Sequence, residues 1–213
     1  MTTTADTPDT STIAGFLDAL AAKVPAPGGG ATAAVHLGQA AALVAMVARY
    51  TTGARYAEHH ALVAAVCERA DRLRANALQL VDDDMTAFSG VISAYQLPKS
   101  TASEAQARSA AIAAAAIRAA DVPAVVADGA AEVIDLAEQL LPVGNANVIS
   151  DVAAAADAAR AAATTARVNV EINLSSISDA AARESLITRM TGVDDLTARA
   201  DAVTARVRKL LTS

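Results

Sequence analysis

Apolar residues recur at helical spacing along almost the whole chain, and the breaks between these runs mark out successive helices. Ile13, Phe16, Leu17 and Leu20 follow an i, i+3, i+4, i+7 pattern behind Ser11 or Thr12, either of which can cap a short helix ending before Pro25. From Ala31 onward no charge appears until Arg49. A helix that is apolar all round belongs at the centre of a bundle, and Thr52-Gly53 supplies its stop. The third helix is predicted from about Ala57 to Tyr95, with the stripe Leu62, Val66, Leu73, Ala77, Leu80, Asp84, Phe88, Val91 and Tyr95. Steps of three and four after Leu73 predict that this face meets a partner throughout. Leu97-Pro98-Lys99 ends it, and Ser100 or Ser103 caps a fourth helix carrying Arg108, Ile112, Ala115 and Ile117. Pro123 either kinks one long helix or separates two, and the apolar pattern resumes until Pro142. A fifth helix spans about Ser150 to Val170. Asp179 or Asp194 can cap a tail whose stripe is Leu196, Ala200, Val203, Val207 and Leu210. Only Val168–Ile172 has any strand character, and its surroundings are helical. The predicted fold is therefore all-α: one domain over residues 11–213, a bundle of long, mostly antiparallel helices. Residues 1–10, rich in Thr and Asp, form a leader expected to be disordered.

Composition sharpens this picture at a few points. Hydrophobic residues make up 54% of the 213, yet aromatics only 2%, so alanine carries most of the apolar content. Such chains pack helices closely and rarely build sheets. The formal net charge of −6 argues against a nucleic-acid partner, which demands a basic face. A single cysteine, Cys67, fits a reducing compartment, and no signal-peptide pattern is visible at the start. The run Ala31–Ala48 is long enough to raise the question of a membrane span, but His36, Gly38, Gln39 and many alanines favour a buried helix of a soluble bundle.

Three groups of residues have the chemistry of a site. The first is Pro25-Ala26-Pro27-Gly28-Gly29-Gly30, an extended, Cβ-poor turn feeding a buried helix. Its free N–H groups and the helix dipole suit an electron-rich ligand group, while tight helix packing explains the same glycines. No Gly-Lys-[Ser/Thr] follows, so it is not a phosphate-binding P-loop. The second is Asp84, a carboxylate on an apolar stripe. Burial there raises its pKa toward the range useful for proton transfer; a structural Asp bonded to a neighbouring helix end explains it equally. The third is Asn147 and Asp151, one turn apart if the helix extends back past Ser150, with Thr165, Asn169 and Asn173 further along the same face. If Ser150 is the cap, Asp151 merely favours the dipole. Lys99 after Pro98 reads as solvated, His36 as a core histidine and Cys67 as inert. No spacing suggests a metal site.

Taken in order, these pieces resemble the cyclodeaminase/cyclohydrolase family of folate enzymes. The matching residues are Phe16-Leu17-Asp18, Pro25 through Gly30, Ala45-Met46-Val47, Asp84-Met85-Thr86-Ala87-Phe88, Leu97-Pro98-Lys99, Arg108, Gly144-Asn145-Ala146-Asn147, Ser150-Asp151 and Asn169 through Leu174. They cover about residues 12–180. His36 and Ala31 depart from the usual residues near the glycines, which bears on fine substrate preference.

The resemblance implies a cytoplasmic, all-helical homodimer acting on the one-carbon bridge between N5 and N10 of tetrahydrofolate. It implies no cofactor or metal beyond that substrate, and no membrane. Cyclohydrolases hydrate the 5,10-methenyl bridge to 10-formyltetrahydrofolate; cyclodeaminases close 5-formiminotetrahydrofolate to the methenyl form and release ammonia. The absence of a formiminotransferase domain leans toward the cyclohydrolase by analogy; a non-catalytic helical assembly or binding protein on the same scaffold is the further alternative, against which stand Asp84, Lys99, Asn147 and Asp151 together with the glycines. By the same resemblance Asp84 is the expected base, with Asp151 second. Lys99 and Arg108 are expected on the substrate's carboxylates, or Lys99 in proton transfer. Asn145, Asn147 and Asn173 are expected to bind substrate. Pro27, Gly28, Gly29 and Gly30 are expected to form a Cβ-free wall.

Overall fold

The computed structural model describes residues 12–212. The leader at residues 1–10, and Ser11 as a cap, lie outside them. Seven α-helices follow in order: α1 (Ile13–Ala21), α2 (Gly29–Tyr50), α3 (His60–Gln96), α4 (Ala102–Leu140), α5 (Ser150–Leu174), α6 (Ala180–Met190) and α7 (Val193–Thr212). Among the described residues there is no strand, and Val168–Ile172 is the helical end of α5.

Helices α2, α3, α4 and α5 form a four-helix bundle in which each packs on two neighbours and α2 faces α4 across the diagonal. Alanine makes this possible. Ala34, Ala41 and Ala45 of α2, and Ala155, Ala159, Ala162 and Ala166 of α5, are buried, so facing backbones approach closely. At Gly129 of α4 the approach is closer still. A Cβ there would lie 2.8 Å from Leu37 Cδ2, so the bare backbone receives the leucine. Pro123 sits inside α4 without dividing it, which settles the kink-or-break alternative as one helix. A capping box of Thr101 and Glu104 starts that helix, where Ser100 or Ser103 was the expected cap. The tail is two helices. Asp179 caps α6 by accepting from Ala181 and Ala182, and α6 ends at Thr191-Gly192, with α7 beginning at Val193. Ion pairs from Arg167 to Asp194 and from Arg199 to Asp135 and Glu138 tie α7 to the bundle.

Two apolar stripes depart from expectation. In α1, Phe16 is buried, but Ile13 and Leu17 point outward, and Ile13 is 82% exposed. In α3 the stripe is covered from Val63 to Asp84 and then loses its partner, because α2 begins at Gly29 and does not extend alongside Phe88, Val91 and Tyr95. Burial in α4 likewise starts only at Ala115. The segment of α3 beyond Asp84, about 18 Å of helix, therefore pairs with the start of α4 alone as a projecting two-helix arm. Arg108 braces it. Its guanidinium donates to the Tyr95 carbonyl at 3.1 and 3.2 Å and lies over the Tyr95 ring.

Candidate active site

The first turn of any helix has N–H groups without intrahelical acceptors. At α2 this turn follows a buried Pro27, joined to Ala26 by a cis bond, and Gly28 as the cap residue. The Gly28 carbonyl accepts from both the backbone N–H and the hydroxyl of Thr32. The cap itself has no side chain to offer the exposed N–H groups. Asp84, arriving from α3, takes that role by accepting from the Ala31 N–H. It gets close enough because residue 30 is glycine: a Cβ on Gly30 would stand 1.9 Å from Asp84 Oδ1. Asn169 of α5 uses the neighbouring gap in the same way, its Nδ2 lying 3.1 Å from where a Gly29 Cβ would be.

This arrangement sets the electrostatics. Asp84 is half-buried, and loss of solvation pushes its carboxyl above the ordinary carboxylate range. The Ala31 N–H and the positive helix end pull the other way and win back only part of the shift. Asn169 and Asn173 each spend their NH2 on the carbonyl one turn back, at 2.8 Å, which keeps their side-chain carbonyls as acceptors. Around Gly28 no heavy atom lies within 4 Å of a would-be Cβ, so the site opens there. A carboxyl group held at a fixed position, with a raised pKa and amide acceptors beside it, can take a proton and return it to a neighbouring atom.

One chain brings together Asp84, Gly28–Gly30 and Asn173, and adds Asn169. It does not bring the other expected residues to them. Asn145, Asn147 and Asp151 lie at the opposite end of α2, about 30 Å away along its axis. There Asn145 ties the C-terminus of α2 to the α4–α5 turn. It donates from Nδ2 to the Tyr50 carbonyl (2.7 Å) and from its backbone N–H to Thr51 Oγ1 (3.0 Å). Its Oδ1 accepts from Arg55 and from the Asn147 N–H. Asn147 follows in a 3₁₀ turn, and Asp151 stands in the first turn of α5, where the dipole favours a carboxylate. Lys99 is exposed at the tip of the arm, and Arg108 is engaged with Tyr95. The glycine wall is also modified. The gaps at Gly29 and Gly30 are filled by the protein's own Asn169 and Asp84, and only Gly28 faces open space.

Asn169 belongs to the matched Asn169–Leu174 motif and to the polar face of α5, with no individual role expected of it. Its signal was the four-residue spacing Thr165, Asn169, Asn173 on an otherwise alanine and valine helix. A second feature is a shallow cleft of about 360 Å³ at the Asn145 end, lined by Arg55, Tyr56, His59 and Gly144; the sequence signals only its Gly144 side, through the matched Gly144-Asn145-Ala146-Asn147 turn. Among the described residues no group of three or more His, Cys, Asp or Glu side chains could hold a metal ion.

Fold and site define a class: an alanine-rich helical bundle with a carboxylate of raised pKa seated on a helix terminus. The chain belongs to the formiminotransferase-cyclodeaminase family, which matches residues 12–192. It is similar to methenyltetrahydrofolate cyclohydrolase of Methylorubrum extorquens, 40% identical over 203 residues, covering 95% of this chain and 96% of that protein. It is also similar to formimidoyltransferase-cyclodeaminase of Mus musculus, 31% identical over 186 residues, covering 87% of this chain and 34% of that longer protein. The crystal structure of formiminotetrahydrofolate cyclodeaminase from Thermotoga maritima superposes with a TM-score of 0.79 at 31% identity, covering 94% of this chain and 96% of that one.

Proposed function

We propose that this chain is a folate enzyme that hydrolyses 5,10-methenyltetrahydrofolate to 10-formyltetrahydrofolate. The observation that carries the reading is Asp84 held over Gly30 by the Ala31 N–H, with its carboxyl pKa raised by burial. Near end-to-end likeness to the Methylorubrum cyclohydrolase supports the direction of the reaction. The methenyl bridge is a delocalised amidinium-type cation, and the Asp84 carboxylate stabilises that charge beside it. As water attacks the bridging carbon, Asp84 takes one proton. The hydroxyl proton of the adduct then passes to N5 as the carbon–N5 bond breaks. The formyl group stays on N10, and one proton is released overall. Asn169 and Asn173 accept hydrogen bonds from the pterin edge near Gly28.

A second reading is cyclodeamination of 5-formiminotetrahydrofolate, favoured by the likeness to the Thermotoga enzyme. There Asp84 would shuttle protons while N10 attacks and ammonia leaves. On either reading we place the enzyme in the cytoplasm as a homodimer. The folate is its only small-molecule partner, with no further cofactor, no nucleic acid and no membrane. Purified protein should bleach the methenyl absorbance faster than buffer does. Generation of that absorbance from the formimino compound alone would favour the second reading, and neither activity would overturn both.

A further inference from the structure

At the end of the bundle away from Asp84, about 30 Å along α2, Arg55 is held without a counter-charge. Arg49, Arg69, Arg167, Arg189 and Arg199 each pair with a carboxylate on another helix. Arg55 instead donates from Nη2 to the Tyr56 hydroxyl and to Asn145 Oδ1 (3.1 Å), both neutral, and its guanidinium lies 4.4 Å from the centre of the Tyr56 ring. Among the described residues its Nε and Nη1 hydrogens have no acceptor. The neighbouring Glu58 carboxylate is directed to His59 Nε2, at 3.4 Å. Tyr56 is buried, and Asn145 is itself fixed by Tyr50 and Thr51. A guanidinium held this way has already lost the freedom that binding would otherwise take from it. It borders the cleft of about 360 Å³, whose walls at Pro142, Val143 and Gly144 are apolar. The Gly144 wall is bare backbone, since a Cβ there would crowd the Leu140 carbonyl at 3.0 Å.

We propose that this cleft is a second binding site, for a small organic carboxylate carrying one negative charge. The unspent N–H groups of Arg55 meet the carboxylate in charge-assisted hydrogen bonds. Pro142 and Val143 take the apolar body, and the bare Gly144 wall lets a flat one lie close. The charge count selects the ligand. One guanidinium balances one carboxylate, whereas a phosphate dianion would keep an unbalanced charge in a chain whose net charge is already −6. A carboxylate on Arg55 also tightens the joint that Arg55 makes, through Asn145, between the end of α2 and the α4–α5 turn. The site stands apart from Asp84 and does not rest on the folate reading.

The test is a titration of the full isotope-labelled chain with benzoate as the probe, followed by NMR in about 0.15 M salt to screen loose ion pairing. The backbone amides of Tyr56, Gly144 and Ala146 should shift along a saturating curve; absence of saturation at those amides overturns the site. The curve should be unchanged in Asp84→Asn, and a curve lost with Asp84 would assign the binding to the other end and overturn it too. Arg55→Gln and Pro142→Glu should each weaken binding about 10-fold or more. Pro142 is exposed, so its variant serves even where Arg55→Gln unfolds. Undiminished affinity in either folded variant refutes the assignment. Acetate and inorganic phosphate should both bind more weakly than benzoate; either binding as tightly would overturn the apolar, singly charged ligand. None of these readings needs turnover.

Discussion

Replacing Gly30 with alanine tests the site at its narrowest point. The new Cβ would stand 1.9 Å from Asp84 Oδ1, and ordinary contact begins at 3.4 Å, so the carboxylate must retreat by 1.5 Å. A shift of that size breaks the bond from the Ala31 N–H and moves the base from the reacting carbon. Misplacement by an ångström costs on the order of 100-fold in rate, about 2.7 kcal/mol of barrier. Stability should change far less. Losing a hydrogen bond to a charged group costs about 1.5–3 kcal/mol, and alanine in place of glycine inside a helix returns up to about 1. The net loss corresponds to a few degrees in a chain of this size, leaving the protein folded at assay temperature. The measurement is the initial rate of methenyl absorbance loss, with Asp84→Asn as the floor. Gly192→Ala is the reference, since a Cβ there meets nothing within 4 Å. Native kcat/KM in Gly30→Ala would refute the reasoning, because the carboxylate cannot occupy its present position in that variant.

Asp84→Asn should abolish turnover while an amide oxygen still accepts from Ala31. Because burial raises the folded-state pKa of Asp84, the charged form weakens the fold. The native Tm should therefore fall relative to the variant as pH rises from the ordinary carboxyl range through the raised value; a gap widening toward acid would contradict this. The rate should rise with pH through the same raised value, read as the acid limb of kcat/KM. Asn145→Ala should cost about 1–3 kcal/mol in urea unfolding, since the Tyr50 carbonyl loses its donor. Gly129→Ala should lower Tm by overpacking Leu37, at about 1–2 kcal/mol.

Much of the bundle was legible because alanine-rich helices are bounded by unambiguous punctuation. Pro25, Gly53, Pro98 and Pro142 all fall between helices, and the caps at Thr12 and Asp179 act as their side chains suggest. Pro123 was ambiguous because a proline tolerated in a long buried helix looks the same as one that divides two. Asp179 and Asp194 were both open as starts of the tail since Thr191-Gly192 is a weak break; Asp179 caps α6, and Asp194 lies in the first turn of α7. Asp84 could be picked out because a carboxylate on an apolar stripe is conspicuous at any register. Its companion glycines could not be assigned to it. That pairing depends on α3 crossing the start of α2, a long-range contact that leaves no periodic mark. The same holds for Asn145, whose bonds to Tyr50 and Thr51 span more of the chain than any local pattern covers. The α3 stripe continues through Phe88 and Tyr95, where both side chains are exposed.

Asp84 is both the proposed proton carrier and the acceptor that holds the Ala31 amide. Each time it gains a proton, the bond from that amide loses its charge assistance and the first turn of α2 is free to fray. Backbone motion at the mouth of the site is thereby tied to the protonation step. Amide exchange at Ala31 should quicken as the carboxyl becomes protonated, a rhythm that an asparagine at position 84 would silence.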